Sequence, residues 1–151
     1  MKNTHHYTHQ LRWLGELEKD TIKNDRKYEV EIEGKEIIEG SADKAFFGDP
    51  TKFNPEDLLL AALSACHMMS YLYVCRKHGI KVLSYQDNPL GVLKLNINGS
   101  GQFEKVTLKP QIEIVQEGQK ELAMELHHEA GKLCFIANSC NFEIKYETQI
   151  L

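Results

Sequence analysis

Four thiols and seven imidazoles are the side chains of this chain best suited to chemistry, and their spacing narrows what that chemistry is. Cys66 and Cys75 share one apolar stretch. If that stretch is a helix, their Cα atoms lie about 13 Å apart, beyond the roughly 7 Å that a disulfide spans. Cys134 and Cys140 flank a short segment near the carboxyl end, and either could reach Cys66 only through the fold. There is no Cys-x-x-Cys or His-Glu-x-x-His motif. Cys66 with His67, and His127 with His128, are adjacent pairs whose side chains diverge by about 100° on a helix, a poor chelate. The stretch "HHYTH" near the start reads as a polar terminal segment before it reads as a metal site. Metal binding is the weaker branch, and neither a metal nor an organic cofactor is expected. A thiol in an apolar helix is inert filler, or a redox group that needs a second thiol to resolve its sulfenic acid. These residues alone leave both open.

The chain has 151 residues, 42% of them hydrophobic and 26% charged, with a formal net charge of -4. That is enough for one domain over residues 1–151 with its own core. No basic excess advertises nucleic acid. The opening "MKNTHHYTHQLRW" lacks the apolar centre of a secretory signal, and no uninterrupted apolar run is read as approaching the ~20 residues of a bilayer span. The expectation is a cytoplasmic protein with neither nucleic acid nor membrane as partner, a setting in which structural disulfides are rare.

The elements that must position the thiols follow from pattern. "YTHQLRWLGEL" and "RKYEVEIEGKEII" alternate polar and apolar residues, the second around a Glu-Gly-Lys turn, and predict an antiparallel meander. Residues 39–54 carry Gly40, Gly48 and Pro50 and predict a long loop. Asn54 as cap, Pro55 at the first helical position, and Glu56 and Asp57 in the first turn predict a helix that runs to Gly79. It is apolar on nearly all sides from Leu58 to Cys75, so other elements or a second subunit should cover it. "KVLSYQD", "GVLKLNING" and "GQFEKVTLKPQIEIV" predict a further meander with a turn at 98–101. "EGQKELAMELHHEAGKL" predicts a second helix, with Leu122, Leu126 and Ala130 on one face, and "FEIKYETQI" a closing strand. The order is that of a single α+β domain.

Two stretches carry a resemblance. "NPEDLLLAALSACHMM" looks like the motif around the peroxidatic cysteine of the OsmC/Ohr family, and "AGKLCFIANSCNFEI" is similar to that family's second cysteine motif. The element order fits the family over nearly the whole chain. The resemblance implies an OsmC-like fold, with antiparallel meanders around a long central helix, in an intertwined homodimer with active sites at the interface. It implies a thiol peroxidase that reduces organic hydroperoxides. Cys66 would be the peroxidatic residue and Cys134 the resolving one, with Glu56 as the supporting carboxylate. An external dithiol, a lipoyl protein in part of the family, would restore the thiols.

The family pattern also calls for an activating arginine immediately before Gly48-Asp49-Pro50, where this chain has Phe47. Arg12 and Arg26 belong to the early strands, which leaves Lys44 and Lys52 as the cations of the loop. A lysine supplies charge without the planar fork that bridges a carboxylate and a thiolate. Glu56 lies about 15 Å along a straight helix from Cys66, out of direct reach. Cys140 is read as buried filler or as a substitute for Cys134, Cys75 as packing, and His67 as a core histidine or a donor near the thiolate. The rival to the peroxidase is a non-enzymatic protein that binds an apolar or thiol-reactive ligand in the dimer-interface pocket.

Overall fold

Alternation in the early residues yields the predicted antiparallel sheet, of β1 (Gln10–Trp13), β2 (Tyr28–Glu31) and β3 (Ile38–Gly40) in that order. The structure, a computed structural model, describes residues 3–14 and 26–151, so 15–17 of the first alternating stretch lie outside the described residues. Arg12 stands opposite Glu29 in the β1–β2 register and bonds it at 2.7 Å. Gly34 makes the predicted turn with φ 75°. The chain gathers into two compact units, residues 1–59 and 60–151.

The rest of the first unit is a loop wound tightly on its own polar groups. Asp43 Oδ1 accepts the Ala45 amide at 2.7 Å and caps a single 3-10 turn, Lys44–Phe46. Ser41 Oγ accepts the Asp49 amide at 3.0 Å, and Asp49 Oδ1 accepts that of Thr51 at 2.9 Å. Gly48 presses so closely on the Ala42 carbonyl that no Cβ fits there. Phe47, just before it, takes the left-handed backbone at φ 63°, which side chains other than glycine seldom adopt. Its ring is 76% exposed.

Helix α1 (Pro55–Lys77) starts and stops where its caps predict. Asn54 Oδ1 accepts the Asp57 amide at 2.7 Å, and Gly79 turns the chain with φ 74°. Leu63, His67, Tyr71, Val74 and Cys75 are its buried residues. That three-to-four spacing covers one face only, and Met69 and Tyr73 on the other are 60% and 62% exposed. A cover on all sides is therefore not what one chain provides. The reading that no apolar run approaches membrane-spanning length is corrected as well. By length and composition α1 is long and apolar enough to cross a bilayer, a test that the core helix of a soluble protein also passes.

In the second unit the expected meander becomes one long hairpin. β4 (Val82–Asp87) runs antiparallel to β7 (Pro110–Ile114), and β5 (Leu90–Leu95) to β6 (Gly101–Leu108). The hairpin breaks at 109, where Asp87 Oδ1 takes the Lys109 amide at 2.7 Å and Pro110 has no amide to offer. The closing segment forms β8 (Glu143–Tyr146) beside β6 and β9 (Gln149–Ile150) beside β7, both parallel. Parallel pairing needs a long crossover. It is supplied by α2 (Lys120–Leu133) and by a short α3 (Phe135–Asn138) that pattern did not predict. The architecture is α+β with a long helix, its sheets mixed rather than wholly antiparallel.

Candidate redox site

The two halves of the site arrive from opposite ends of the second unit. Cys66 is carried by the middle of α1 and Cys134 by the junction of α2 and α3. They meet in one apolar cluster with Leu63, Val106 and Leu108 at its centre. There Cys66 packs against the cluster that buries Cys134, near enough for each thiol to bear on the other's ionisation. Cys134 is fully buried, and its Sγ accepts the Ala137 amide at 3.4 Å, which starts α3. Burial pushes the Cys134 thiol up to about 11; the Ala137 amide opposes that rise, and the Cys66 thiol adds to it. At neutral pH Cys134 is a thiol.

Cys66 is half-buried and opens on a cavity of about 370 Å³, lined also by Met69, Ser70, Tyr73, Leu133 and Phe135. Ser70 apart, the neighbours of Cys66 in that wall are apolar or aromatic. Such a surface favours a molecule with a hydrocarbon body over a small polar one. The cavity residues beyond the helix, Leu133 and Phe135, flank Cys134 in sequence, a signal present in "KLCFI" but readable only once the two thiols are joined.

The other sites expected from sequence are placed as follows. Cys75 is fully buried in a separate core cluster, as packing. Cys140 lies beyond α3, half-buried, and is not part of the cluster that holds Cys66 and Cys134. Glu56, Lys44 and Lys52 belong to the first unit. Lys44 is exposed on the 3-10 turn, and Lys52 is ion-paired with Glu39, which raises its pKa. Among the described residues no group of three or more His, Cys, Asp or Glu side chains is arranged to hold a metal ion.

His67 turns away from the thiols. Its Nε2 lies 2.9 Å from His127 Nδ1, and both rings are buried. Tyr146 stacks on His67 at 4.5 Å and Tyr71 on His127 at 4.0 Å, centroid to centroid. Burial lowers His67 to about 4 and, with the charges of His67 and His128, His127 to about 3. Both imidazoles are neutral near pH 7, one donating and the other accepting. The buried face of α2, at Ala123, Leu126, His127 and Ala130, follows from helical spacing; that His127 meets His67 does not.

Comparison with known proteins bears on the family and the fold. Residues 48–149 match the family described as OsmC-like protein. An OsmC-like protein of unknown function from Vibrio cholerae is 28% identical, with TM-score 0.83 over 98% of this chain and 100% of that one. The fold is shared by an organic hydroperoxide resistance protein from Elizabethkingia anophelis, at 23% identity and TM-score 0.70 over 99% of this chain and 98% of that one. It is shared too by the organic hydroperoxide resistance protein OhrB of Bacillus subtilis, at 17% identity and TM-score 0.65 over 96% and 98%. A search of curated proteins returns no match. With most of its length matched and its fold shared with these structures, the chain belongs to the OsmC-like family.

Proposed function

We propose that the protein is a cysteine-based peroxidase that reduces organic hydroperoxides to alcohols. The observation that carries this reading is the meeting of two thiols, one open to an apolar cavity and the other sealed behind it. The Cys66 thiolate attacks the outer oxygen of the hydroperoxide, so that a sulfur–oxygen bond forms and the oxygen–oxygen bond breaks. The alkoxide takes a proton and leaves as an alcohol, with Cys66 left as a sulfenic acid. Cys134 then displaces hydroxide from that sulfur, its own proton completing a water molecule, and a disulfide closes. An external dithiol exchanges with the disulfide and returns both thiols. On the same reading Glu56 is the supporting carboxylate. Lys44 is the cation left to it, since Lys52 is engaged by Glu39. A second copy of the chain covers the open face of α1, and the protein works in the cytoplasm.

The reduced protein, given one equivalent of cumene hydroperoxide, is expected to show a Cys66–Cys134 disulfide by mass spectrometry. No oxidation at Cys66 would sink the proposal. That result would favour a binding protein for an apolar ligand, a reading supported by one observation: the position of the activating cation is held by Phe47, exposed and uncharged.

A further inference from the structure

Tyr146, on β8, has no task in the reading above. Its ring is held on one side by the stack on His67, itself fixed by the bond to His127. Its hydroxyl is set against α2, where a Cβ at Gly131 would lie 2.7 Å from Tyr146 Oη. Alanine in a helix is more stable than glycine, so α2 gives up stability at the place where the hydroxyl comes in. The Gly131 carbonyl accepts the Cys134 amide at 3.4 Å, so the hydroxyl comes in beside the residue that holds the backbone of Cys134. Tyr146 also packs against the apolar cluster that contains Cys134. Burial, and then the charge Cys134 would carry, keep the proton on the tyrosine, so that it remains a donor.

We propose that Tyr146 assists the resolving step, its hydroxyl donating a hydrogen bond to the Cys134 sulfur as that sulfur attacks the Cys66 sulfenic acid. The inference rests on the peroxidase reading. In the step the Cys134 sulfur gives an electron pair to the Cys66 sulfur, the sulfur–oxygen pair leaves with oxygen, and the thiol proton ends on that oxygen as water. Negative charge passes through the Cys134 sulfur, in a site where burial opposes it. A donor there lowers the cost, and the tyrosine is not consumed. His67 and His127 serve by holding the ring in place.

Tyr146→Phe keeps the stacked ring and removes only the donor, while Gly131→Ala favours the helix and displaces the hydroxyl. After one equivalent of cumene hydroperoxide, dimedone trapping and quenched disulfide mapping separate the two steps. In Tyr146→Phe, Cys66 sulfenic acid is expected at the wild-type rate and the disulfide about tenfold more slowly. Gly131→Ala should slow the disulfide in the wild-type background and add nothing in the Tyr146→Phe background. Wild-type resolution in Tyr146→Phe overturns the inference, as does an equal effect of Gly131→Ala in both backgrounds, which would point to packing alone. If the wild-type protein forms neither sulfenic acid nor disulfide, the peroxidase reading itself fails and this inference falls with it.

Discussion

Residues 66 and 67 are neighbours on α1 and face opposite physical problems. Cys66 looks onto an apolar cavity and has one thiol beside it. His67 is sealed in the core, where one ring nitrogen is paired with His127, the other is buried without a partner, and Tyr146 stacks on its face. A reacting group needs access and an unmade bond. A buried polar group needs its partner, because an unpaired one keeps the full cost of its lost hydration. The 100° turn between successive helical residues lets one helix meet both demands within a single step.

The contrast can be broken by substitution. The largest effect should come at the open side, where Cys66→Ser is expected to lower peroxide consumption by roughly 1000-fold while stability stays close to wild type. Peroxide assays and urea unfolding measure the two; a destabilised but active variant would reverse the assignment. At the sealed side the signs exchange. His127→Ala leaves His67 buried without its partner and should cost about 3 kcal/mol in urea unfolding. The double change His67→Leu with His127→Leu should lie closer to wild type than either single change, since removing both polar groups leaves nothing unsatisfied.

A gentler probe is acid. The folded values of about 4 for His67 and about 3 for His127 lie below the ordinary 6.5. Between those values the unfolded chain takes up protons that the fold refuses. The stabilisation is therefore complete above pH 6.5 and is lost as the pH falls through 6.5 toward 4. Its slope should approach about 1.4 kcal/mol per pH unit for each histidine. Urea midpoints at about pH 7.5, 5.5 and 4.5 measure the slope, and it should flatten in the double leucine variant. An unchanged slope there would place the acid sensitivity elsewhere.

What could be read from sequence follows the range of each interaction. The bounds of α1 are written locally, in Asn54, Pro55 and Gly79, and the helix starts and stops accordingly. The alternating residues of β8 announced a strand but not its neighbour, since alternation chooses a face and leaves the pairing partner free. The parallel docking against β6 is a long-range outcome, and so is the choice between Cys134 and Cys140 as the thiol beside Cys66. The four residues of α3 are too few to show a period, and their start depends on a sulfur accepting an amide. Lys52, one of the two cations of the loop, pairs with Glu39, a choice of partner among many carboxylates that spacing does not make.

The crossover that returns the chain to lie parallel with β6 carries one further consequence. Cys134 sits inside it and Cys66 lies before the hairpin begins, so a bond between them would close a loop of roughly seventy residues around most of the second unit. In the chain-entropy account such a closure takes about 4 kcal/mol of freedom from the unfolded chain, enough to raise the melting temperature by about 10 °C. Oxidation would then act as a temporary staple. A molecule that had just met a peroxide would be the most heat-resistant form of the protein until a dithiol released it.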